Sequence, residues 1–546
     1  MLVSPLAAPM SMANTIPDLN PAAASDQWQR FCQLLWHHEP LALWLDVSRM
    51  ALSQKQLQDF EEPFQRAFAA MEALEQGAMA NPDEQRQVGH YWLRNPALAP
   101  DRAVAAQISS ELLRIQEFAA QVLAGALTLP HGQAFTDVLW IGIGGSGLGP
   151  VLIVRALQEN RQGLPFHFLD NVDPDGMSRL FDQLGPRLLT SLVVVVSKSG
   201  GTPEPHIGMV QARARLEALG GQWNSQAVAI TMLESKLDQE AVAEGWLQRF
   251  DLFDWVGGRT SITSAVGLLP AALAGIDTEA FLHGAALMDS ATRKKDLLDN
   301  PAALMAAAWY SAGDGVGRRD MVILPYRDRL ELFSRYLQQL VMESLGKRLD
   351  RQGQVVHQGI AVYGNKGSTD QHAYVQQLRD GVDNFFATFI EVLEDPTDIK
   401  KLDGALPGDF LDGFLQGTRA ALSDGGRQSI TISLAKFDAK ALGALVALFE
   451  RAVGLYGELI DVNAYHQPGV EAGKQAAAKI LDLQERLEQL LQDGKPRRVE
   501  QVSQELGEST NPEAVFFILR HLCGNDRGLK ASGNWADPLS LQFQKA

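Results

Sequence analysis

The stretch that most constrains the fold is VLWIGIGGSGLGP, residues 138–150. It begins with apolar residues that predict a strand buried on both faces, and it continues into a turn that contains five glycines. Glycines let the backbone curl tightly and point its N–H groups inward. Pro150 suits the first turn of a following helix, and a helix N-terminus favours an anion. The stretch therefore predicts a strand, an anion-binding turn and a helix.

Strand and helix patterns alternate along most of the remaining chain. Apolar runs such as PFHFLD, SLVVVVS and QAVAITML are separated by helical patterns, and a second alternating set begins near residue 319 with DMVILPY. This alternation predicts α/β domains with doubly wound parallel sheets, which bind ligands at the carboxyl ends of their strands. We expect a helical N-terminal segment over residues 1–105, one α/β domain over 106–300, a second over 301–490, and a small, loosely winged-helix-like C-terminal extension over 491–546.

The charge balance limits the classes of partner. The net charge is −17, and 46% of the residues are hydrophobic while 21% are charged, as in a soluble globular protein. An acidic chain is a poor partner for nucleic acid or an anionic membrane, so an anionic substrate needs a local positive pocket. The first residues lack the basic segment of a secretion signal, and no apolar run approaches the about 18 residues of a membrane span. Because the only cysteines, Cys32 and Cys523, lie in apolar helical patterns, we expect free thiols and a cytoplasmic protein.

A second loop with a similar design follows the strand SLVVVVS. Residues 197–202, SKSGGT, combine three hydroxyls, two glycines and one lysine immediately before a helix opens at Pro203. Hydroxyls, glycine amides and a helix N-terminus together can hold a phosphate. The alternative is a serine- and glycine-rich turn that binds nothing.

The first glycine turn also fits a nucleotide site. Gly142, Gly144 and Gly147 match the dinucleotide fingerprint, and Asp170 ends the next strand where a ribose-binding carboxylate would stand. A single match of this kind is weak, and it leaves the SKSGGT loop unexplained. An NAD-dependent dehydrogenase is therefore one alternative function, which nicotinamide binding would reveal.

Glu343 lies on a predicted helix over residues 330–345. It falls at the edge of the apolar stripe of this helix, beside Tyr336. A partly buried carboxylate can act as a general base. The plainer alternative is a surface carboxylate paired with Lys347, four residues later.

Three further residues stand in turns or at helix starts. Arg259 follows two glycines, in a turn that leaves its guanidinium free to reach a ligand. His372 lies near a helix start, where Ser368 and Gln371 have the spacing of a capping box, and a histidine there can accept or shuttle a proton. Lys474 follows a Pro-Gly turn and small residues that let a ligand approach. From these residues alone, an ordinary solvated side chain is the simpler interpretation of each.

Six segments, in order, resemble the glucose-6-phosphate isomerase family, whose members have two sugar-isomerase (SIS) domains. They cover residues from about 105 to 480 and read IGIGGSGLGP, SKSGGTPEP, GGRTSITSAVGLLP, YLQQLVMESLGK, GNKGSTDQHAYVQQL and NAYHQPGVEAGK. Six ordered motifs are far more specific than one glycine loop. The resemblance implies two tandem SIS domains with flavodoxin-like, three-layer αβα architecture.

The resemblance also implies a role for each candidate residue. Glu343 corresponds to the catalytic base, and Arg259 corresponds to an arginine that stabilises an enediolate. His372 and Lys474 correspond to groups that move a proton to and from the ring oxygen. The implied substrate-binding residues are Gly145, Ser146, Ser197, Lys198, Ser199, Thr202, Gln339 and Gln467.

The implied reaction is the reversible isomerisation of glucose 6-phosphate to fructose 6-phosphate, a step of glycolysis and gluconeogenesis. It needs no cofactor, and no metal-ligand spacing stands out in the sequence. Family members form homodimers in which the active-site histidine comes from the neighbouring subunit, so we expect His372 to act across the interface. A non-catalytic sugar-phosphate sensor is the second alternative, but it would not need the four catalytic residues that this chain has.

Overall fold

The structure is a computed structural model that describes residues 16–17, 19, 24–159, 163–396, 400–401, 404–507 and 510–546, without the side chains of residues 470–472 and 474–475. The strands, in chain order, are β1 Leu35–His38, β2 Leu43–Arg49, β3 Asp137–Ile141, β4 Phe166–Leu169, β5 Ser191–Val196, β6 Ala227–Thr231, β7 Gln248–Asp251, β8 Asp320–Pro325, β9 Lys347–Leu349, β10 Val355–Gln358, β11 Val362–Tyr363, β12 Phe385–Val392, β13 Ser429–Leu434, β14 Leu529–Ser532 and β15 Gln542–Lys545.

The α-helices that lie between and around these strands are α1 Ala24–Leu34, α2 Gln54–Asp59, α3 Glu61–Glu75, α4 Arg102–Leu123, α5 Leu148–Leu157, α6 Pro174–Leu184, α7 Pro203–Ala218, α8 Lys236–Glu244, α9 Ala265–Leu273, α10 Thr278–Thr292, α11 Pro301–Ala312, α12 Phe333–Leu337, α13 Val375–Asp380, α14 Pro407–Asp424, α15 Ala439–Leu459, α16 Pro468–Leu490, α17 Val499–Leu506 and α18 Pro512–Gly524. Short 3₁₀ turns connect several of them.

The first main sheet contains β3 to β7, all parallel, in the spatial order β4-β3-β5-β6-β7. Ile141 of β3 pairs with Leu169 of β4 on one side and Val195 of β5 on the other. Every residue of β3, β5 and β6 is buried, as expected when both faces of a parallel sheet are covered. This strand order is that of flavodoxin-like folds, in which ligands bind where the order reverses. In this sheet the reversal lies between β3 and β5.

The second main sheet has the order β1-β2-β13-β12-β8-β11. β13, β12, β8 and β11 pair in parallel, whereas β2 lies antiparallel to β13, and β1 lies antiparallel to β2. The expectation of a purely helical N-terminal segment is therefore wrong for β1 and β2. The apolar pattern of α1 continues into β1, so this pattern does not separate helix from strand; β1 forms by pairing with β2, which in turn pairs with β13 from the second half of the chain. Residues 1–15, 18 and 20–23 of that segment lie outside the described residues.

α10 and α15 form the closest helix pair of the core. A Cβ added at Gly284 would lie 1.9 Å from the carbonyl oxygen of Lys440, and one at Gly443 would lie 2.0 Å from that of Phe281. The two backbones approach this closely because these positions carry no side chain. α15 is buried over nearly all of its length. Even so, no helix within the described ranges is long and apolar enough to cross a membrane.

The chain divides into two compact units, one that ends at His466 and one from Gln467 to Ala546. The second unit contains α16 to α18 and the antiparallel pair β14–β15, and its own core includes Leu487, Leu519 and Phe543. The predicted fold class, α/β with two doubly wound sheets, is confirmed. The predicted domain boundaries and the winged-helix shape of the last segment stay predictions.

Candidate active site

Two loops leave the first sheet where its strand order reverses. Residues 142–147, the glycine turn, follow β3, and residues 197–202, the serine loop, follow β5. Because β3 and β5 are parallel neighbours, both loops emerge at the same edge of the sheet. The structure thus brings together the two loops that the sequence predicts as anion sites.

The serine loop keeps polar groups available for a ligand. Gly200 has φ of +66°, and a Cβ there would lie 2.4 Å from the backbone N of Leu237, so only glycine fits. The Oγ of Ser199 accepts a hydrogen bond from the amide two residues later at 3.2 Å. The buried Oγ of Ser197 has no hydrogen-bond partner among the described residues. Thr202 immediately precedes α7, and its side chain makes no capping hydrogen bond to the described amides of that helix. The loop therefore combines hydroxyls with an uncapped helix N-terminus.

Lys198 turns its amine away from these hydroxyls. Its Nζ donates hydrogen bonds to the carbonyl oxygens of Asp254 at 2.6 Å and Val256 at 2.8 Å. Burial, together with the nearby charge of Arg86, lowers the pKa of Lys198 to about 8. The side chain thus ties the serine loop to the segment that leads to Arg259.

Arg259 lies in the 3₁₀ turn Gly258–Thr263 and is only 5% exposed. Its guanidinium donates to the Oγ of Ser344 at 2.9 Å and to the carbonyl oxygens of Ala464 at 2.7 Å and Tyr465 at 2.8 Å. The expectation of a free guanidinium is therefore wrong, because carbonyls from a distant part of the chain surround it. Burial lowers the pKa of Arg259, but an arginine keeps its positive charge in proteins. The result is a fixed, partly desolvated cation.

Glu343 ends a stretch of π-helix. The predicted regular helix over residues 330–345 is wrong in detail: α12 is short and passes into the π-helical turn Gln338–Glu343, a form that often occurs at functional sites. The Glu343 side chain is 20% exposed, and its Oε2 lies 3.6 Å from the Nε of Arg259. That oxygen is buried and has no hydrogen-bond partner within the described chain. Lys347 donates to the main-chain oxygen of Glu343 at 2.6 Å, so the predicted alternative of a simple carboxylate–lysine pair does not describe the contact.

The glycine turn packs directly against both of these segments. A Cβ added at Gly145 would lie 2.3 Å from the carbonyl oxygen of Gly258, the residue before Arg259. A Cβ added at Gly144 would lie 3.2 Å from the Nε2 of Gln339 in the π-helical turn. Ser146 is half-buried in the same turn. The glycine turn, the arginine turn and the π-helical turn therefore meet at one place.

His372 lies elsewhere on the first unit, at the end of the 3₁₀ turn Thr369–His372, and its side chain is exposed. The predicted capping box is wrong, because Ser368 makes no capping hydrogen bond to the described turn. Buried Asp370 holds the loop instead, by accepting hydrogen bonds from the amide of Asn365 at 2.8 Å and the hydroxyl of Tyr374 at 2.6 Å. The loop is thus well fixed, although His372 itself is free to reach outward.

The two remaining candidates belong to the second compact unit. Gln467 immediately precedes α16, and Lys474 lies within that helix. The side chain of Lys474 is outside the described part of the chain. Their predicted roles therefore stay predictions.

A buried network that the sequence analysis did not identify lies behind Arg259. The hydroxyl of Tyr336 lies 3.3 Å from the Oε1 of Glu450 and 3.4 Å from the carbonyl oxygen of Arg259. Glu450 is paired with Arg94, which also donates to the Oδ1 of Asp289 at 2.8 Å. Burial raises the pKa of Tyr336. The one signal in the sequence is the charged pair at positions 450–451, inside the long apolar middle of α15.

The sequence is similar to those of known proteins. Residues 46–410 and 416–493 match the family described as phosphoglucose isomerase. A protein of Parasynechococcus marenigrum named glucose-6-phosphate isomerase is 67% identical over 529 residues, which cover 97% of this chain and 96% of that protein. A protein of the same name from Prochlorococcus marinus (strain MIT 9313) is also 67% identical, over 97% of this chain and 96% of that protein.

The fold is similar to that of solved structures. A crystal structure of a glucose-6-phosphate isomerase from Chlamydia trachomatis matches with a TM-score of 0.77 at 26% identity, over 86% of this chain and 94% of that one. A hypothetical protein from Thermus thermophilus matches with a TM-score of 0.67 at 29% identity, over 78% of this chain and 96% of that one. The segments that match the family contain the whole first sheet, the parallel strands of the second sheet and the three turns that meet at Arg259. The chain is a member of the phosphoglucose isomerase family.

Proposed function

We propose that this chain interconverts glucose 6-phosphate and fructose 6-phosphate, with Glu343 as the base that moves the proton between C2 and C1. The observation that carries the proposal is the carboxylate oxygen of Glu343, which is buried, has no hydrogen-bond partner among the described residues and lies 3.6 Å from Arg259. The π-helical turn that ends at Glu343 approaches the glycine turn, which leaves the sheet edge where ligands of flavodoxin-like folds bind. Because the chain belongs to the phosphoglucose isomerase family, the glycine turn no longer supports the alternative of an NAD-dependent dehydrogenase.

The serine loop binds the phosphate of the substrate. The hydroxyls of Ser197, Ser199 and Thr202 and the N-terminus of α7 supply donors for the phosphate oxygens. Lys198 adds positive charge from behind the loop, because carbonyl oxygens hold its amine there. Fixing the phosphate leaves the other end of the sugar at the glycine turn.

The reaction is a proton transfer in two halves. Glu343 removes the proton on C2 of the open-chain aldose, and the electron pair moves through the C1–C2 bond onto the oxygen of C1. The same proton then returns to C1, while the hydroxyl proton of C2 moves to the oxygen of C1, which gives the ketose. A positioned base of this kind contributes about 10² to 10⁴ in rate.

Arg259 stabilises the enediolate between the two halves. Its hydrogen bonds, among them those to Ser344, Ala464 and Tyr465, fix the guanidinium before the substrate arrives, so the site does not reorganise as negative charge develops. The backbone of Gly145, the hydroxyl of Ser146 and the amide of Gln339 supply further donors to the sugar.

His372 and Lys474 assist opening of the sugar ring, and Gln467 contacts the substrate, as the family resemblance implies. In a homodimer, His372 acts in the active site of the neighbouring subunit. Its exposed side chain and its firmly held loop support this role. The two thiols are free, which fits the proposed cytoplasmic location.

Replacement of Glu343 by glutamine tests the proposal. Because Glu343→Gln keeps the shape of the side chain but not its basicity, we expect kcat for fructose 6-phosphate formation to fall by about 10² to 10⁴ while KM changes little. The matched control is Glu331→Gln, at a half-exposed glutamate whose 3.4 Å contact with Lys366 contributes little.

Three outcomes separate the possibilities. The proposal is supported if the wild type is active and kcat falls strongly in Glu343→Gln but not in Glu331→Gln. Near-normal kcat in Glu343→Gln contradicts the assigned base. Binding of glucose 6-phosphate without any wild-type turnover would identify the sugar-phosphate sensor instead.

A further inference from the structure

Lys347 is a buried lysine next to Glu343, the proposed base. The proposed mechanism gives this lysine no role. It is only 5% exposed, and its Nζ lies 2.6 Å from the main-chain oxygen of Glu343. Its own backbone begins β9, which pairs with β10 through Gln358. The strand β9 therefore holds the backbone of Lys347, and the end of the π-helical turn holds its amine.

The hydrogen bond of Lys347 completes the end of the π-helical turn. A helix leaves its last carbonyl groups without intrahelical donors. Here the amide of Ser344 donates to the carbonyl of Val341, and the amide of Gly346 donates to that of Met342 at 2.8 Å. The carbonyl of Glu343 follows, and its donor is the Nζ of Lys347. The chain turns so tightly at Gly346 that a Cβ there would lie 2.5 Å from the carbonyl oxygen of Met342.

We propose that Lys347 is a positioning residue for catalysis: its ammonium group holds the main chain of Glu343 so that the carboxylate stays beside Arg259. This inference rests on the proposed function of Glu343. A cation at a helix C-terminus interacts favourably with the last carbonyls, and a charged donor makes a stronger hydrogen bond than a neutral one. Lys347 does not need to touch the substrate, so its loss should reduce kcat rather than raise KM.

The charge of Lys347 changes near neutral pH. Four charged or titratable groups face its amine: Arg259, Glu343, Asp83 and His466. Burial first, and then Arg259, lower the pKa of Lys347 to about 7, while Glu343 and Asp83 oppose this shift. Because a lysine is charged below its pKa, the ammonium is present on the acid side of pH 7 and is lost as the pH rises. The positioning effect should be lost over the same range.

The test compares kcat and KM of the wild type and Lys347→Met between pH 6 and pH 9. At pH 6 we expect kcat of the variant to be about 10- to 100-fold below wild type, the effect of one lost charge-assisted hydrogen bond, with KM nearly unchanged. The ratio of the two kcat values should shrink above pH 8, because the wild-type amine is then neutral. A matched control is Lys440→Met, which removes a lysine that donates to the carbonyl of Pro40 at 2.6 Å, away from the base.

The outcomes distinguish this inference from the proposed function. If the wild type has no isomerase activity, the proposed function fails and the inference fails with it. If the wild type is active but the ratio of kcat values does not change with pH, or KM rises in proportion as kcat falls, only the role of Lys347 is overturned. If Lys347→Met does not fold, the wild-type profile decides, because kcat without a decline through pH 7 contradicts the inference.

Discussion

The contact between Gly145 and Gly258 gives a sharp prediction about the geometry of the site. A methyl group on Gly145 would lie 2.3 Å from the carbonyl oxygen of Gly258, whereas ordinary van der Waals contact begins near 3.4 Å. The glycine turn and the turn that carries Arg259 must therefore separate by roughly 1 Å in Gly145→Ala, and a displacement of that size can cost about 100-fold in rate. KM should rise less than kcat falls, because the glycine turn contacts the sugar but the serine loop, which binds the phosphate, is not part of this contact.

The matched control is the same substitution on the other side of the contact, at Gly258. A Cβ on Gly258 would lie 3.8 Å from the Cα of Gly145, which is an ordinary contact, so Gly258→Ala should lower kcat by about threefold at most. The assay couples fructose 6-phosphate formation to a reporter reaction, and circular dichroism with thermal unfolding confirms the fold of each variant. A folded Gly145→Ala chain with wild-type kcat would refute the reasoning that this contact sets the position of Arg259.

Two further predictions concern Lys198 and His372. Lys198→Met should lower kcat by roughly tenfold and also raise KM, because it releases the carbonyls of Asp254 and Val256 and removes the positive charge behind the serine loop; unchanged kcat would show that these hydrogen bonds do not matter for catalysis. Glu343→Gln and His372→Ala chains, mixed with confirmed subunit exchange, should recover roughly a quarter of wild-type activity, since half of the dimers would then contain one complete site. Absence of any recovery would argue that His372 does not act across an interface.

The position of the two loops could be predicted from the sequence because it depends on local patterns. After their first residues, strands β3 and β5 are uninterrupted apolar runs, and a glycine or a serine immediately follows each of them. Parallel strands place their carboxyl ends at one edge of a sheet, so the meeting of the loops follows from the fold class. The candidate phosphate and sugar ends of the site were predictable for this reason.

The directions of the long side chains could not be predicted in this way. Arg259 follows two glycines that suggest freedom, yet its hydrogen bonds run to Ala464, 205 residues away. Lys198 likewise reaches across to Asp254. The π-helical form of residues 338–343 was also hidden, because over one turn its apolar spacing resembles that of an α-helix. Each of these features depends on tertiary contacts that no local pattern encodes.

The antiparallel strand β2 has a consequence for how the protein is made. Arg49 pairs with Ser429, so 380 residues (429 − 49) must be added after Arg49 before its partner has been made. At the about 5 to 20 residues per second of translation, β2 leaves the ribosome roughly 20 to 80 s before β13 does. During that time β2 can pair with β1 on one edge, but its other edge, which is covered in the finished fold, lacks its partner and is a site for misassociation. The second sheet thus joins β1 and β2 to a strand made much later, and it can close only after β13 has been synthesised.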